Sequence, residues 1–530
     1  MREDWGGWVS IYYRLKDRYI YKSFIKQARH PLKCRACKKK SRGGDTMYYR
    51  IKDKYKLRGW ELLPYALVDS ETHRTHFVQK AEFDALSLCD GTIDFALPLI
   101  SQSVRESAEK LSEKGYIEQC SPGTEILDEQ KYKRYPNRFM KHAHWSITGK
   151  CNCKCKHCFL SAADGRYGEL SHDDAMKIVD ELGACGVLSC SITGGEPFVR
   201  SDFWEIVDGL TERGIYISQI YSNGLLVNER LLDKFEDRGL HPEFNMSFDG
   251  VGYHDWLRGI DGAEKAVRHA FEICRDRGFP TGAEMCLWWE NAHTLRDSVN
   301  YLASVGCRSL KTNPVADTGA WQEGGYAKKH GLSSDETNAI YLDYIEDFYQ
   351  DLPEISLHLG GFFAADGRQP DTYSLPAIHV AKDPENTCMC AHARNSLYIS
   401  AEGRALTCMP ISNNDEFQAE YPLIQKLGLR QCLTESKYME LINTRSAAVL
   451  AHNEKCVDCA YRRLCLGGCR AAGLQCHPGD ILAPDESTCR LFRDGWLQQI
   501  TEKVSRLRPS AECAEQKRLL ELGREDEIRR

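Results

Sequence analysis

The run Cys151-Asn152-Cys153-Lys154-Cys155-Lys156-His157-Cys158 places cysteines at 151, 155 and 158 with spacers of three and two residues. Three thiolates so spaced suit one iron–sulfur cube. A [4Fe–4S] cubane usually fills its four irons with Cys thiolate. Three ligands leave one iron open, and an open iron binds and activates a small molecule. Zinc loops use similar spacings, so the rest of the chain decides between them. About 35 residues later comes Gly194-Gly195-Glu196-Pro197, whose two glycines let the main chain approach a ligand closely. A second cysteine group is C-terminal: Cys388, Cys390, Gly403 and Cys408, then Cys456-x2-Cys459-x5-Cys465-x3-Cys469, then Cys489.

The elements that must carry these residues are legible between Trp145 and Asn313. Strand-like segments at 143–148, 187–193, 215–221, 243–248, 281–288 and 308–313 alternate with helix-like ones at 171–184, 201–213, 228–238, 262–277 and 291–304. Ser171 and Asp174 form a capping pattern for the first of these helices. Six β/α units in series predict a parallel sheet, and six fit an open partial barrel. In such barrels chemistry sits on loops after the strand C-termini. The cysteine loop follows the first strand, GGEP the second and Ser222-Asn223-Gly224 the third, while Ser247-Phe248-Asp249-Gly250 ends the fourth. One rim holds all four.

Composition narrows the class. The chain has 530 residues, 42% of them hydrophobic and 28% charged, which suits about two to four soluble domains. A net charge of −6 gives no reason to expect nucleic acid as the main partner. No apolar run reaches the ~18 residues that span a bilayer, and MREDWGGWVSIYYRLKDRYI lacks a signal-peptide h-region. The expectation is a cytoplasmic protein with neither membrane nor nucleic-acid partner. Twenty-four cysteines in such a chain are not a disulfide framework. Their clustering reads as metal ligation in two regions, while Cys185, Cys190, Cys274, Cys286 and Cys307 fall in apolar stretches as small buried residues.

The CxxxCxxC triad followed by GGEP one β/α unit later resembles the radical S-adenosylmethionine (SAM) superfamily. The resemblance implies that Cys151, Cys155 and Cys158 hold a [4Fe–4S] cluster and that SAM chelates the open iron. It implies that Gly194, Gly195, Glu196 and Pro197 hold the SAM ammonium, Glu196 through its carboxylate. His157 would lie near the adenine, Ser247 would touch the ribose, and Arg258 would contact SAM nearby. No catalytic residue is assigned beyond the cluster.

The C-terminal array resembles the SPASM domain of peptide- and protein-modifying radical SAM enzymes, which carries two auxiliary [4Fe–4S] clusters. By that resemblance Cys390, Cys408 and Cys469 share one cluster, with Cys388 as fourth ligand. Cys456, Cys459, Cys465 and Cys489 hold the other. Relatives place the fourth ligand about six residues before Cys390, where this chain has Pro384, so that cluster is expected to be differently ligated or open. Zinc ribbons would account for Cys456 and Cys459 but not for the seven-cysteine order.

Residues 47–120, with Leu88-Cys89-Asp90-Gly91-Thr92 and then SVRESAEKLSEKGYIE, resemble the precursor-peptide recognition element of ribosomal peptide pathways. Such domains take a leader peptide as an added strand on a sheet edge. A DNA-binding winged helix is the alternative, and net acidity counts against it. Within this unit the pattern predicts helices around 80–89, 92–101 and 102–114.

The expected architecture is α/β: a partial (β/α)6 barrel with an N-terminal winged-helix-like domain and a C-terminal Cys-rich iron–sulfur (SPASM) domain. Its divisions are an extension at 1–46 (or a natural start at Met47), a peptide-recognition domain at 47–120 and a linker at 121–142. The barrel at 143–320 follows, then a bridging region at 321–387, loop-rich from 353, the SPASM region at 388–495, with little regular structure, and a charged, solvated helical tail at 496–530. Cys34-x2-Cys37 supplies only two ligands and reads as free thiols.

The resemblance covers residues 47–495 and implies a peptide maturase. It would cleave SAM reductively to a 5′-deoxyadenosyl radical that removes hydrogen from a precursor peptide. A thioether from Cys sulfur to carbon is the first expectation, and a carbon–carbon or carbon–oxygen crosslink the second. The implied partners are the precursor peptide and an electron donor such as flavodoxin or ferredoxin. Sulfatase-maturing dehydrogenases share SPASM but have an Asp after the cysteine matching Cys408, where this chain has Met409. A non-enzymatic peptide-binding or electron-carrier protein would need neither GGEP nor an open iron.

Overall fold

The computed structural model describes residues 46–511 except 380 and 382. The extension with Cys34-x2-Cys37 and the tail beyond 511 lie outside the described residues. The chain forms two compact units, Met1–Arg138 and Phe139–Arg530.

In the first unit, strands Tyr48–Ile51 (β1), Tyr55–Gly59 (β2), Ala66–Asp69 (β3) and Thr75–Phe77 (β4) precede helix Lys80–Leu86 (α1). Strand Asp90–Asp94 (β5), helix Gln102–Glu113 (α2), and strands Ile117–Gln119 (β6) and Lys133–Arg134 (β7) follow. Alternate residues of β1 and β2 are buried, which is what makes them one-sided strands. The strands form two sheets, β5-β1-β6 and β4-β3-β2-β7. Helices α1 and α2 pack on each other over a core that includes Tyr49, Leu57, Phe83, Phe95 and Leu111.

Two stretches of this unit differ from the sequence reading. The helix expected at 92–101 is replaced by β5 and a turn. The Asp90 carboxylate accepts from the Thr92 amide at 2.9 Å and its hydroxyl at 2.6 Å, a local bond that competes with helix. Gly91 takes φ +78° where a Cβ would lie 1.9 Å from Thr124 O. Much of the linker expected at 121–142 is folded onto the unit: β7 pairs with β2, and buried Gln130 donates to Ile51 O at 3.1 Å and Lys52 O at 3.0 Å.

The second unit is α/β. Its strands and helices alternate: His142–Ser146 (β8), His172–Ala184 (α3), Ser189–Thr193 (β9), Phe203–Glu212 (α4), Tyr216–Ser222 (β10), Glu229–Glu236 (α5) and Glu243–Ser247 (β11). A short helix His254–Arg258 (α6) precedes Ala263–Asp276 (α7). Then come Thr281–Leu287 (β12), Leu295–Ser304 (α8), Ser309–Pro314 (β13), two short helices Gly319–Glu323 (α9) and Ala327–His330 (α10), and the long helix Ser334–Asp351 (α11). Ser171 caps α3 as expected, accepting from Asp174 N at 3.2 Å. Strands β8 to β13 run parallel in sequence order. Ala143, Trp145, Cys190, Ile192 and Met285 pack under the helices, along with the buried cysteines 185, 274 and 307.

The sheet exceeds the six expected strands. Ser356–Leu359 (β14) joins parallel to β13, and Phe363–Asp366 (β15) and Tyr373–Ser374 (β16) follow antiparallel, within the stretch expected to be loop. At the opposite end Ser396–Ile399 (β17) pairs parallel with β8, and Ala405–Leu406 (β18) pairs antiparallel with β17. Each is four residues or fewer, too short for its period to show in sequence. From Asp415 to Arg493 the cysteine-rich region is a series of helices of four to eight residues.

The tail helix Trp496–Leu507 also departs from expectation. Leu497, Ile500 and Val504 recur at helical spacing and are fully buried, packing the helix on α11. Its charges are peripheral, with Lys503 Nζ 3.5 Å from Asp343 and 3.6 Å from Glu346. Leu497→Ala is therefore expected to lower stability by about 2–5 kcal/mol, read as a drop in the urea midpoint. Glu502→Ala on the exposed face should change it by less than about 0.5 kcal/mol.

Candidate active site

The loop between β8 and α3 carries Cys151, Cys155 and Cys158. Backbone amides point at two of the sulfurs: Cys153 N lies 3.4 Å from Cys151 Sγ and Ala162 N lies 3.2 Å from Cys158 Sγ. Arg258 Nη1 stands 3.8 Å from Cys155 Sγ. Donors aimed at sulfur stabilise thiolate and are the hydrogen bonds that tune iron–sulfur centres. The Cys153 thiol hydrogen-bonds Cys151 and Cys155, which holds both below the ordinary thiol range, while burial pushes Cys158 up to about 11. Lys154 N donates to Arg258 O at 3.2 Å and Lys156 N to Leu257 O at 2.9 Å, so the loop is fastened to α6.

GGEP follows β9. Gly195 N donates to Thr148 O and Glu196 N to Lys150 O, each at 2.9 Å, which lays this turn against the cysteine loop. A Cβ on Gly195 would lie 2.2 Å from Lys150 O and 3.0 Å from Cys151 Cβ, so the approach requires glycine. Pro197 opens a short 3-10 turn, Pro197–Val199. Glu196 is fully buried and does not line the cavity. Its carboxylate accepts from Ser222 Oγ at 3.1 Å, Asn223 N at 2.8 Å and Phe198 N at 3.2 Å. Burial pushes its pKa up to about 8 against those donors. The geometry gives the Glu196 side chain a positioning task and leaves the backbone of Gly194 and Gly195 facing the cavity.

That cavity, about 570 Å³, is walled by inward side chains of five successive strands, among them His144, Thr193, Tyr221, Ser247 and Glu284. Lys311 of β13 extends the wall. Cys151, Cys155, His157, Cys158 and Arg258 close one side. His157 is pushed down to about 4 by burial and Arg258, so its ring is neutral, and its buried Nδ1 has no hydrogen-bond partner. An unpartnered ring nitrogen beside the cysteine loop fits a nucleobase neighbour. Arg258 Nε donates to Asp249 at 2.6 Å. Burial opposes charge on both, but the pairing keeps Arg258 protonated and Asp249 ionised. Cys286 N also donates to Asp249, at 3.0 Å.

Asn223 and Asp249 fall in two of the rim segments without a role assigned from the sequence, while His142 and His144 fall in none. Asn223 donates to Asn152 Oδ1 at 2.7 Å and approaches Cys151 Sγ at 3.8 Å, linking the loop after β10 to the cysteine loop. Asp249 orients Arg258. His142 and His144 share Ser191 Oγ at 3.0 and 2.8 Å, and the His144 ring lies 4.9 Å from Tyr221. The available signal was polar residues at alternate positions of strands whose other face is apolar, the pattern of a polar lumen.

Among the C-terminal cysteines, Cys390, Cys408 and Cys469 are electrostatic neighbours, as are Cys456, Cys459, Cys465 and Cys489. Burial and the neighbouring Cys469 and Cys390 thiols raise Cys408 to about 12, and burial with Cys469 raises Cys390 equally. Burial with Cys456, Cys459 and Cys489 raises Cys465 to about 12. These thiols are protonated at neutral pH, so a cluster bound there displaces their protons. Cys388 Sγ accepts from Arg394 at 3.0 Å and Arg445 at 2.8 Å, donors that stabilise its thiolate. Leu466, Gly467 and Gly468 all take positive φ, which lets Cys465 and Cys469 diverge to different groups. A Cβ on Gly467 would meet Val449 at 2.5 Å. Buried Arg470 donates to Gly467 O and to Ala483 O at 2.6 Å, between the two groups.

Two outcomes follow from this geometry. Gly195→Ala should push the Lys150–Cys151 segment aside and lower iron bound per chain, measured after anaerobic reconstitution. Burial holds His142 at about 4 and His144 at about 3 against an ordinary 6.5. Below pH 6.5 the unfolded chain takes up protons that the folded rings refuse, so stability is full above that pH and falls toward pH 4. The urea midpoint should drop over that window, and less steeply in His144→Gln.

The sequence signature of the radical SAM superfamily matches residues 145–302. The chain is 30% identical over 362 residues to the Fe-coproporphyrin III synthase of Methanosarcina barkeri, spanning 66% of this chain and 88% of that protein. It is 25% identical over 327 residues to the PqqA peptide cyclase of Granulibacter bethesdensis, spanning 61% and 80%. Streptococcus suis SuiB bound to precursor peptide SuiA has a similar fold, with TM-score 0.57 at 14% identity over 84% of this chain and 100% of that one. The large parallel-rich sheet matches the fold of that structure, and the Cys-rich C-terminus fits a SPASM domain. By its sheet, its sequence and its relatives, the chain belongs to the radical SAM superfamily of enzymes.

Proposed function

We propose that this enzyme modifies a ribosomally made precursor peptide, forming an intramolecular crosslink, with a thioether from Cys sulfur to carbon as the leading product. One observation carries the reading. The cavity bounded by Cys151, Cys155 and Cys158 is also lined by Cys408, Met409 and Pro410 of the C-terminal cysteine region. A substrate there lies between the site that opens its C–H bond and a second site able to take up an electron or a thiolate. The peptide-acting relatives support it, as does the terminal strand β4 of the first unit, whose Phe77 is 68% exposed and offers an edge for a leader peptide.

The residues divide the work. Cys151, Cys155 and Cys158 would hold the SAM-binding [4Fe–4S] cluster, with SAM against Gly194, Gly195, Pro197, His157, Ser247 and Arg258. Glu196 keeps the GGEP turn in register, and Asp249 fixes the Arg258 guanidinium beside Cys155. When bound, these groups supply a primary carbon radical able to remove a peptide hydrogen atom. The fold's part is to hold the target C–H in reach and exclude side reactions. Cys456, Cys459, Cys465 and Cys489 would hold one auxiliary cluster and Cys390, Cys408 and Cys469 the other. Cys388, which accepts from Arg394 and Arg445, is the candidate for that second site's fourth position. A carbon–carbon or carbon–oxygen crosslink uses the same residues without a substrate thiolate.

The test is co-expression with a short peptide encoded beside the gene, followed by mass spectrometry. A loss of two hydrogens per crosslink is expected. Cys151→Ala should abolish 5′-deoxyadenosine formation, whereas Cys408→Ala should retain it and lose the crosslink. An unchanged peptide mass, or turnover of an iron tetrapyrrole instead, would overturn the reading.

A further inference from the structure

Two histidines of β8 have no part in holding a cluster or SAM. His142 and His144 alternate along the strand and both line the cavity. Their ring nitrogens form a single file with two hydroxyls of β9. His144 Nδ1 lies 2.8 Å from Ser191 Oγ, which lies 3.0 Å from His142 Nε2. His142 Nδ1 lies 2.9 Å from Ser189 Oγ, and Ser189 Oγ donates to Lys141 O at 3.5 Å. The strand register builds this file, since His142 stands opposite Ser189 and His144 opposite Ser191.

The file has a direction. A carbonyl only accepts, so the Ser189 hydroxyl that donates to Lys141 O accepts from His142 Nδ1–H. Burial keeps both rings neutral, and a neutral imidazole carries one N–H. The charged neighbours of the two rings are Lys141, Lys311 and His392, none of them a carboxylate that would stabilise an imidazolium. His142 Nε2 therefore accepts the Ser191 proton, and Ser191 accepts from His144 Nδ1–H. A lone pair is left on His144 Nε2. No hydrogen bond from the described residues reaches that atom, and it is not sealed off from the cavity that His144 lines. At the other end, His142 and Ser189 are the first residues of their strands, remote from the rim that carries the cysteine loop.

We propose that His144 is a catalytic residue of the crosslinking step, its Nε2 accepting the proton that the substrate thiol loses. Ser191 and His142 are positioning residues that hand a proton on to solvent. The proposal rests on the crosslinking reading, whose balance requires such an acceptor. The substrate carbon gives a hydrogen atom to the 5′-deoxyadenosyl radical, the thiol gives a proton to His144 Nε2, and the C–S bond forms. The one surplus electron passes to the auxiliary iron–sulfur site proposed at Cys390, Cys408 and Cys469, of which Cys408 lines the same cavity. The His144 Nδ1 proton moves to Ser191, that of Ser191 to His142 Nε2, and that of His142 Nδ1 to Ser189. The Ser189 proton leaves to water at the end of the file, where His142 is half-buried. One proton enters and one leaves, so neither ring takes on a charge that burial would oppose.

Two measurements on the reconstituted full-length enzyme test this. Nitrogen-15 NMR of histidine-labelled protein, assigned with His142→Gln and His144→Gln, reads the tautomers without turnover. Both rings should be neutral and carry Nδ1–H at neutral pH. An Nε2–H tautomer or an imidazolium at either position would overturn the proposal, whatever the substrate. Crosslink formed per 5′-deoxyadenosine is then measured with the short peptide encoded beside the gene. His144→Gln should lower that ratio by about 10²-fold or more, the usual worth of a proton acceptor. Ser191→Ala and His142→Gln should each lower it, and neither should lower it further when combined with His144→Gln. A disturbed fold lowers both quantities and spares the ratio. An unchanged ratio in His144→Gln, or additive losses in the combined variants, sinks the proposal alone. So does a loss confined to Glu284→Gln, since Glu284 is the one carboxylate among the described residues lining the cavity. If the wild-type enzyme leaves the peptide mass unchanged, the functional reading fails and the catalytic role of His144 falls with it.

Discussion

The buried carboxylate of Glu196 is the constraint on which the site depends. It accepts from Ser222 and Asn223 at the end of β10, while its own amide bonds Lys150 O beside Cys151. Asn223 then reaches across to Asn152 and the Cys151 sulfur. Three loops from three successive strands are thereby held in one register. A charge-capable group with no access to water tolerates this only if its oxygens are satisfied. The network meets that condition with two backbone amides and a hydroxyl. Its cost is local, and its effect is to fix loops that would otherwise move separately.

A second constraint of the same kind lies on the opposite wall. Asp249 is fully buried and joins Arg258, Cys286 N and, through its own amide, His254 Nδ1 at 3.0 Å. Arg258 then stands beside Cys155, so both ends of the cysteine loop are referenced to strand termini rather than to solvent. The C-terminal region repeats the device with a cation, since buried Arg470 ties the Gly467 and Gly468 carbonyls of the turn between Cys465 and Cys469 to the Ala483 carbonyl.

What the sequence disclosed follows from the range of each signal. The six parallel strands and their helices were readable because each is long enough for its hydrophobic period to show, and the cysteine spacings because ligation constrains them locally. β14 to β18 were missed because two to four residues establish no period. The helix expected at 92–101 failed on a side-chain bond from Asp90 that outweighs propensity. The tail helix read as solvated because its charges are numerous, while the three residues that bury it are spaced along one face. The arginine partners of Cys388 were not readable, because Arg394 and Arg445 come to it from elsewhere in the chain. The direction of the Glu196 side chain was invisible for the same reason, since its partners sit on the next strand.

One further consequence lies in how the sheet is completed. β8, the strand before the cysteine loop, is flanked by β9 on one side and by β17 on the other, with Ser396 opposite His142. Some 250 residues separate those partners. During synthesis the first barrel strand therefore waits with one backbone edge unpaired until the cysteine-rich region has emerged. Non-local pairing of this kind is slow to form and exposes an edge to other chains meanwhile. The C-terminal region thus covers the free edge of the first parallel strand, and the setting of the cysteine loop is tied to the arrival of the last quarter of the polypeptide.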